Sequence, residues 1–182
     1  MEFEATPLSG VYLLTPKVHG DDRGFFIESW NAQVFRDAGF DVTFVQDNHS
    51  RSKGGILRGL HYQTRHTQGK LVRATVGSVF DVAVDLRRDS PTLGQWYATT
   101  LDATRHQMLW IPPGFAHGFY VTSEFAEFQY KCTDRYDPDS EVSIAWNDPD
   151  LAIDWPLLDS EAPALSAKDQ EGLSFADAPR LG

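Results

Sequence analysis

The sequence predicts an all-β protein, a sandwich or barrel with a few short helices, and three observations carry that expectation. Between residues 71 and 146 short apolar runs follow one another at close, regular spacing with turn residues between them, the signature of many antiparallel strands. Val76, Ser78, Phe80, Val82, Val84 and Leu86 alternate with Gly77, Val79, Asp81, Ala83, Asp85 and Arg87, which is the period of a strand and predicts one long one with a more apolar face. The ten prolines and fourteen glycines are scattered among the runs rather than gathered in a linker, as turns between strands require.

In chain order, Gly10 to Leu14 reads as a short strand closed by Pro16, and Asp21-Asp22-Arg23-Gly24 as a tight turn. Phe25 to Glu28 is the next strand. The period then changes: Trp30, Val34, Phe35 and Ala38 mark one face of a short helix ended by Gly39. Val42 to Asn48 returns to extended structure, with Gln46 and Asn48 on one face with Phe44. After the long alternating run, Ser90-Pro91-Thr92 breaks the chain, and Trp96 to Leu101, Met108 to Ile111, Phe119 to Thr122, Phe125 to Cys132 and Glu141 to Trp146 supply further strands. In the tail, Trp155-Pro156 is extended and Leu165 to Asp169 enters a short helical turn.

The chemistry lies in three stretches. Gly55-Ile56-Leu57-Arg58-Gly59-Leu60-His61-Tyr62-Gln63 is an apolar β run bounded by glycine that carries a guanidinium and an imidazole, which puts polar groups inside a sheet or at its mouth. Pro112-Pro113-Gly114-Phe115-Ala116-His117-Gly118-Phe119 places a second histidine after a turn, and Gln129-Tyr130-Lys131 ends an alternating run on a phenol. The reading is a β-barrel enzyme whose base is His61. Strict alternation sends Arg58 and His61 to opposite faces. Either Gly59 hosts a bulge that turns Arg58 inward, or Arg58 reaches the site only from its rim.

At 182 residues, 41% hydrophobic and 13% aromatic, the chain has material for one core, and residues 1–182 are expected to form a single domain. Its N-terminus lacks the basic and apolar regions of a signal peptide, and no run approaches the ~20 apolar residues of a membrane span. A cytoplasmic protein is expected. Cys132 stands alone, which excludes an internal disulfide and reads as a small buried hydrophobe. The net charge of −10 argues against nucleic acid or an anionic membrane as partner. An anionic small molecule needs a local basic cluster.

With these stretches in place, the sequence resembles the dTDP-4-dehydrorhamnose 3,5-epimerases of the cupin superfamily. The resemblance runs through Asp22 to Glu28, Val45 to Ser50, Leu57 to Gln63, Gly69 to Val72, Asp81 to Arg87, Ile111 to Phe119 and Leu165 to Asp169, in the family's order. It implies a cupin-type jelly-roll dimer that inverts C3 and C5 of a dTDP-linked 4-keto-6-deoxyhexose without a cofactor, on the way to dTDP-L-rhamnose. Position by position, it implies His61 as proton acceptor, Asp169 as its dyad partner, Tyr130 as proton donor and Lys70 as the group beside the C4 oxygen. Arg23, Glu28, Gln46, Asp47, Asn48, Arg58, His117, Glu141 and Lys168 match positions that contact the nucleotide sugar, and Tyr136 an aromatic that stacks on thymine. In the family, the early strand with Arg23 and Glu28 reaches the neighbouring subunit's site. The segment from Tyr62 to Lys70 is about a residue shorter than is usual there.

The chemistry asks for these residue types. Both carbons are α to a ketone, so loss of either proton gives an enolate, and inversion requires the proton to return from the opposite face. An imidazole with a pKa of ~6.5 accepts a proton near neutrality, and a phenol of ~10 stays protonated yet can give its proton to a carbanion. A cation beside the C4 oxygen stabilises charge that develops in the transition state. Guanidinium groups grip phosphate in a bidentate fork, which suits Arg23 and Arg58, and Lys168 adds charge. Taken singly, His61 and Tyr130 read as core residues, and Asp169, three after Ser166, as a helix-capping acid. Trp96, Trp110 and Trp146 read as core, and His19, His49, His66 and His106 as solvated.

A metal-dependent cupin oxygenase is the rival class. It expects His-x-His, a following glutamate and a later histidine. His61-Tyr62-Gln63 lacks the second histidine, and no glutamate lies between Gln63 and Glu124. A non-catalytic sugar-nucleotide-binding cupin predicts loss of base or donor, and both are present. Within the family, an enzyme that inverts only C3 or only C5 is the alternative.

Overall fold

The computed structural model describes residues 1–182, the side chain of Ser160 excepted. Its strands are β1 (Glu2–Ala5), β2 (Tyr12–Thr15), β3 (Val18–Asp21), β4 (Gly24–Ile27), β5 (Gln46–Lys53), β6 (Leu57–Gln63), β7 (Lys70–Val76), β8 (Ser78–Asp85), β9 (Trp96–Asp102), β10 (Met108–Ile111), β11 (Phe115–Val121), β12 (Phe125–Cys132) and β13 (Glu141–Ser143). The helices α1 (Ala32–Asp37) and α2 (Ala167–Gln170) are short. A six-stranded sheet in the order β1-β2-β10-β7-β12-β5 faces a five-stranded sheet in the order β13-β6-β11-β8-β9, and β3 and β4 form a separate hairpin. This is the all-β, cupin-type jelly roll the sequence predicts.

Alternation sorts the side chains. Val72, Ala74 and Phe128 of the larger sheet meet Val79, Ala83, Phe119 and Val121 of the smaller one in the core between them. The more apolar face of the alternating run, Val82, Val84 and Leu86 with Phe80 at its margin, turns away from that core. It packs with Leu57, Leu60 and Tyr62 beneath the C-terminal segment, against Ile144, Leu151, Trp155 and Ala178. That leaves Asp81 and Ala83 for the interior.

Two expectations are corrected. The run from Val76 to Leu86 is not one strand, because Gly77, at φ +70°, carries the chain from one sheet to the other. A Cβ there would lie 2.1 Å from the Phe125 carbonyl oxygen. Residues 42 to 45 are not strand either; β5 starts at Gln46. Gln46 and Asn48 share a face as expected, but Phe44 packs against Trp30 and Trp110 under α1. The predicted helix is α1, capped by Asn31, whose side chain accepts from Gln33 N and Val34 N. The tail's helical turn is α2, capped by Ser166.

Candidate active site

β6 departs from regular pairing at its centre. His61 pairs with His117 and Arg58 with Phe119 on β11, so two residues of β6 face one of β11, and the register shifts there. Gly59 occupies the shift at φ +131°, and a Cβ on it would sit 2.4 Å from Gly118 Cα and 2.9 Å from the His117 carbonyl oxygen. The extra residue returns Arg58 to the face of His61, and the Arg58 Nε donates to Ser52 Oγ at 3.0 Å. Of the two alternatives for Arg58, the bulge is the one the structure contains.

The cavity this face lines lies between the sheets. Gln46, Asn48, Lys70 and Tyr130 enter it from the larger sheet, and Arg58, His61, His117 and Glu141 from the smaller. Tyr136 and Lys168 stand at its mouth. Despite the shortened segment before it, Lys70 pairs with Cys132 and Ile111 in the sheet and points inward.

His61 Nε2 donates to Asp169 Oδ1 at 2.5 Å, since an ionised carboxylate can only accept. Asp169 is buried, and its other oxygen accepts from Ser166 Oγ at 2.7 Å. Among the described residues, Nδ1 of His61 has no protein partner, so the lone pair of the neutral ring is on that nitrogen. Burial pushes the His61 pKa below its ordinary value, against an opposing pull from Asp169. Burial alone would raise the Asp169 carboxyl, but the His61 and Ser166 hydrogen bonds outweigh it and hold the group below the usual carboxylate range.

On the facing sheet, burial pushes the Tyr130 phenol up, which keeps it protonated, and pushes the Lys70 ammonium down. At the mouth the Tyr136 hydroxyl donates to Glu141 Oε2 at 2.6 Å, and Lys168 Nζ lies 2.7 Å from the same oxygen. The bond to Glu141 is the main reason the Tyr136 phenol is pushed up to about 12. Burial raises Glu141, yet its bonds to Lys168 and Tyr136 bring it below its ordinary value. His117 pairs with the fully buried Asp81 at 2.9 Å. Each inward imidazole therefore holds its own carboxylate, and among the described residues no three His, Cys, Asp or Glu side chains converge as a metal site would require.

Three of the expected residues lie elsewhere in this chain. Arg23 and Glu28 belong to the β3–β4 hairpin region, where Arg23 pairs with Asp21 and Glu28 accepts from Asn31 Nδ2. The Asp47 carboxylate is on the outer face of the larger sheet, held by Lys131 Nζ at 2.9 Å. Other groups were not singled out from sequence: Asp81 behind His117, Ser52 behind Arg58, and Gln63 below Tyr136. An aspartate and a glutamine on the inward face of apolar strands were the available signal, because buried polar groups need partners.

A family model described as dTDP-4-dehydrorhamnose 3,5-epimerase matches residues 5–177. The chain belongs to the dTDP-4-dehydrorhamnose 3,5-epimerase family. It is 63% identical over 169 residues to the family's Pseudomonas aeruginosa enzyme, with 92% of each chain covered. With the Salmonella typhimurium dTDP-4-dehydrorhamnose 3,5-epimerase it shares 58% over 166 residues, 90% of each chain. The dTDP-6-deoxy-D-glucose-3,5-epimerase of Legionella pneumophila, solved in complex with dTDP-4-keto-L-rhamnose, superposes with a TM-score of 0.94 at 50% identity, covering 98% of this chain and 94% of that one. A 3'-monoepimerase from Streptomyces bikiniensis in complex with dTDP-quinovose superposes at 0.89 with 34% identity, over 95% of this chain and 87% of that one.

Proposed function

We propose that the protein is a dTDP-4-dehydrorhamnose 3,5-epimerase that converts dTDP-4-dehydro-6-deoxy-D-glucose to dTDP-4-dehydro-L-rhamnose. The observation that carries the mechanism is that an imidazole with a free Nδ1 and a protonated phenol enter one cavity from opposite sheets. His61 takes the proton from the α carbon on one face of the sugar, and Tyr130 returns one from the other. Lys70 lies beside the C4 oxygen, where its charge stabilises the enolate as it forms. Asp169 fixes the tautomer of His61 and stabilises the imidazolium. No bond is oxidised or reduced, so the reaction requires no redox cofactor.

Arg58 and Lys168 take the diphosphate, with His117, Gln46, Asn48 and Glu141 as polar contacts and the Tyr136 ring against thymine. Arg23, Glu28 and Asp47 do not face this cavity within one chain. Arg23 and Glu28 fit a homodimer in which each hairpin, with Phe25 62% and Phe26 68% exposed, serves the partner's site; Asp47, on β5, is not carried by that hairpin. Residues 1–182 act as one domain, in the cytoplasm; among the described residues no helix is long and apolar enough to cross a membrane.

Incubation with dTDP-4-keto-6-deoxyglucose in D2O, read by NMR, tests this. Deuterium at C3 and C5 of an inverted product is expected. The likeness to a 3'-monoepimerase makes inversion at C3 alone the second reading, and deuterium confined to C3 would establish it. Absence of exchange at both carbons overturns both readings.

A further inference from the structure

Gln63, the last residue of β6, is 4% exposed and spends its whole amide on backbone. Nε2 donates to the carbonyls of His66 at 2.7 Å and Arg135 at 3.1 Å, with that of Arg65 at 3.4 Å. Oε1 accepts from Asp137 N at 3.0 Å. The reversed amide would set an oxygen against three carbonyls, so this orientation is fixed by its surroundings. The bonds to Arg135 and Asp137 fall on either side of Tyr136. Gln46 Oε1 accepts from Tyr136 N at 3.0 Å. Both peptides that flank Tyr136 are therefore held from below, although the residue is 50% exposed and its ring is tethered at the outer end through the hydroxyl, to Glu141. The same amide ties down residues 65 and 66, in the segment that leads to Lys70.

We propose that Gln63 is a positioning residue for nucleotide recognition: it fixes the backbone of Tyr136 so that the ring is already presented to the base before the ligand arrives. The inference rests on the reading of Tyr136 as the thymine platform. A ring on a loose loop would lose conformational freedom on stacking, and a braced one has lost it in folding.

The test is a double-mutant cycle on dTDP affinity by titration calorimetry, with Tyr136→Ala, Gln63→Met and the double variant. Tyr136→Ala is expected to weaken binding about 5- to 150-fold, the range for one base–aromatic stack. Gln63→Met is expected to weaken it about 5- to 10-fold in the wild-type background and less than about 2-fold in the Tyr136→Ala background, because the brace then has no ring to place. For Gln63→Met the loss should appear in KM more than in kcat, since His61 and Tyr130 are held by strands rather than by these loops. Equal losses in both backgrounds overturn the role of Gln63 and leave the platform standing. Wild-type affinity in Tyr136→Ala overturns the platform, and the brace with it.

If Gln63→Met does not fold, Gln63→Glu serves. Its carboxylate still accepts from Asp137 N but repels the three carbonyls, and once protonated it donates again. Burial against three carbonyls raises such a carboxyl above its ordinary value, so its dTDP affinity relative to wild type should recover as pH falls from about 7 to 4. A ratio that stays flat with pH counts against the brace.

Discussion

His61 is subject to opposed influences. Burial favours the neutral ring and Asp169 favours the charged one, and burial prevails. A general base is useful only when unprotonated, so the acidic limb of kcat/KM should lie below the ordinary histidine value of about 6.5, and activity should be flat through neutrality. Asp169→Asn removes the influence that raises the pKa. The limb should then move to lower pH while the plateau falls about 10²–10⁴-fold, which a pH–rate profile reads directly. A limb that stays in place would mean that Asp169 is not ionised beside the ring. Stability follows the same sign. Between the lowered folded value and about 6.5 the unfolded chain binds the more protons at His61, so acidification through that window destabilises the fold. Asp169, also lowered, adds a second loss as pH falls below about 4.

At the scale of the element, the bulge in β6 is what brings a guanidinium and an imidazole three positions apart onto one face. Gly59 and Gly24 share φ +131°, but a Cβ on Gly24 meets nothing within 4 Å whereas one on Gly59 meets backbone at 2.4 Å. Gly24→Ala should therefore cost only the conformational strain, about 1–3 kcal/mol. Gly59→Ala should cost about 3 kcal/mol or more and weaken dTDP binding by moving Arg58. Urea denaturation of both variants makes the comparison, and equal costs would show that the close approach to Gly118 is not limiting.

The strands were legible because alternation survives wherever one face is buried. The bulge was legible as an alternative because glycine was the only residue between Arg58 and Leu60. The break at Gly77 was not, since a glycine in an unbroken alternation looks like any other strand residue until the close approach to Phe125 is known. The fold position of Asp81 and Gln63 was visible from the same alternation, but their partners, His117 and the loops around Tyr136, come from distant segments that local pattern does not specify.

For the whole molecule, the hairpin with Arg23 is the testable feature. If Arg23 serves the partner's site, Arg23→Ala and His61→Ala chains should be nearly inactive alone yet complement each other when mixed and allowed to exchange subunits. One site in each mixed dimer then has both groups. Random pairing predicts about a quarter of wild-type activity. No recovery, with mixed dimers verified by mass spectrometry, would place Arg23 outside the partner's site.

The pairing of His61 with Asp169 spans 108 residues, and the segment that carries Asp169 is continuous with the cover over the outer face of the smaller sheet. During synthesis at about 5–20 residues per second, roughly 5–20 s separate the emergence of His61 from that of Asp169. From the emergence of Tyr120 until Ile144, Leu151, Trp155 and Ala178 have followed, Leu57, Leu60, Val82, Val84 and Tyr120 lack the side chains that bury them in the finished protein. The nascent chain is thus at its most adhesive while it is still without activity, and one late segment ends both conditions. A chain stopped after Asp148 should be inactive and captured by a holdase chaperone. If it stays soluble and unaggregated in sedimentation without one, the smaller sheet does not depend on its cover.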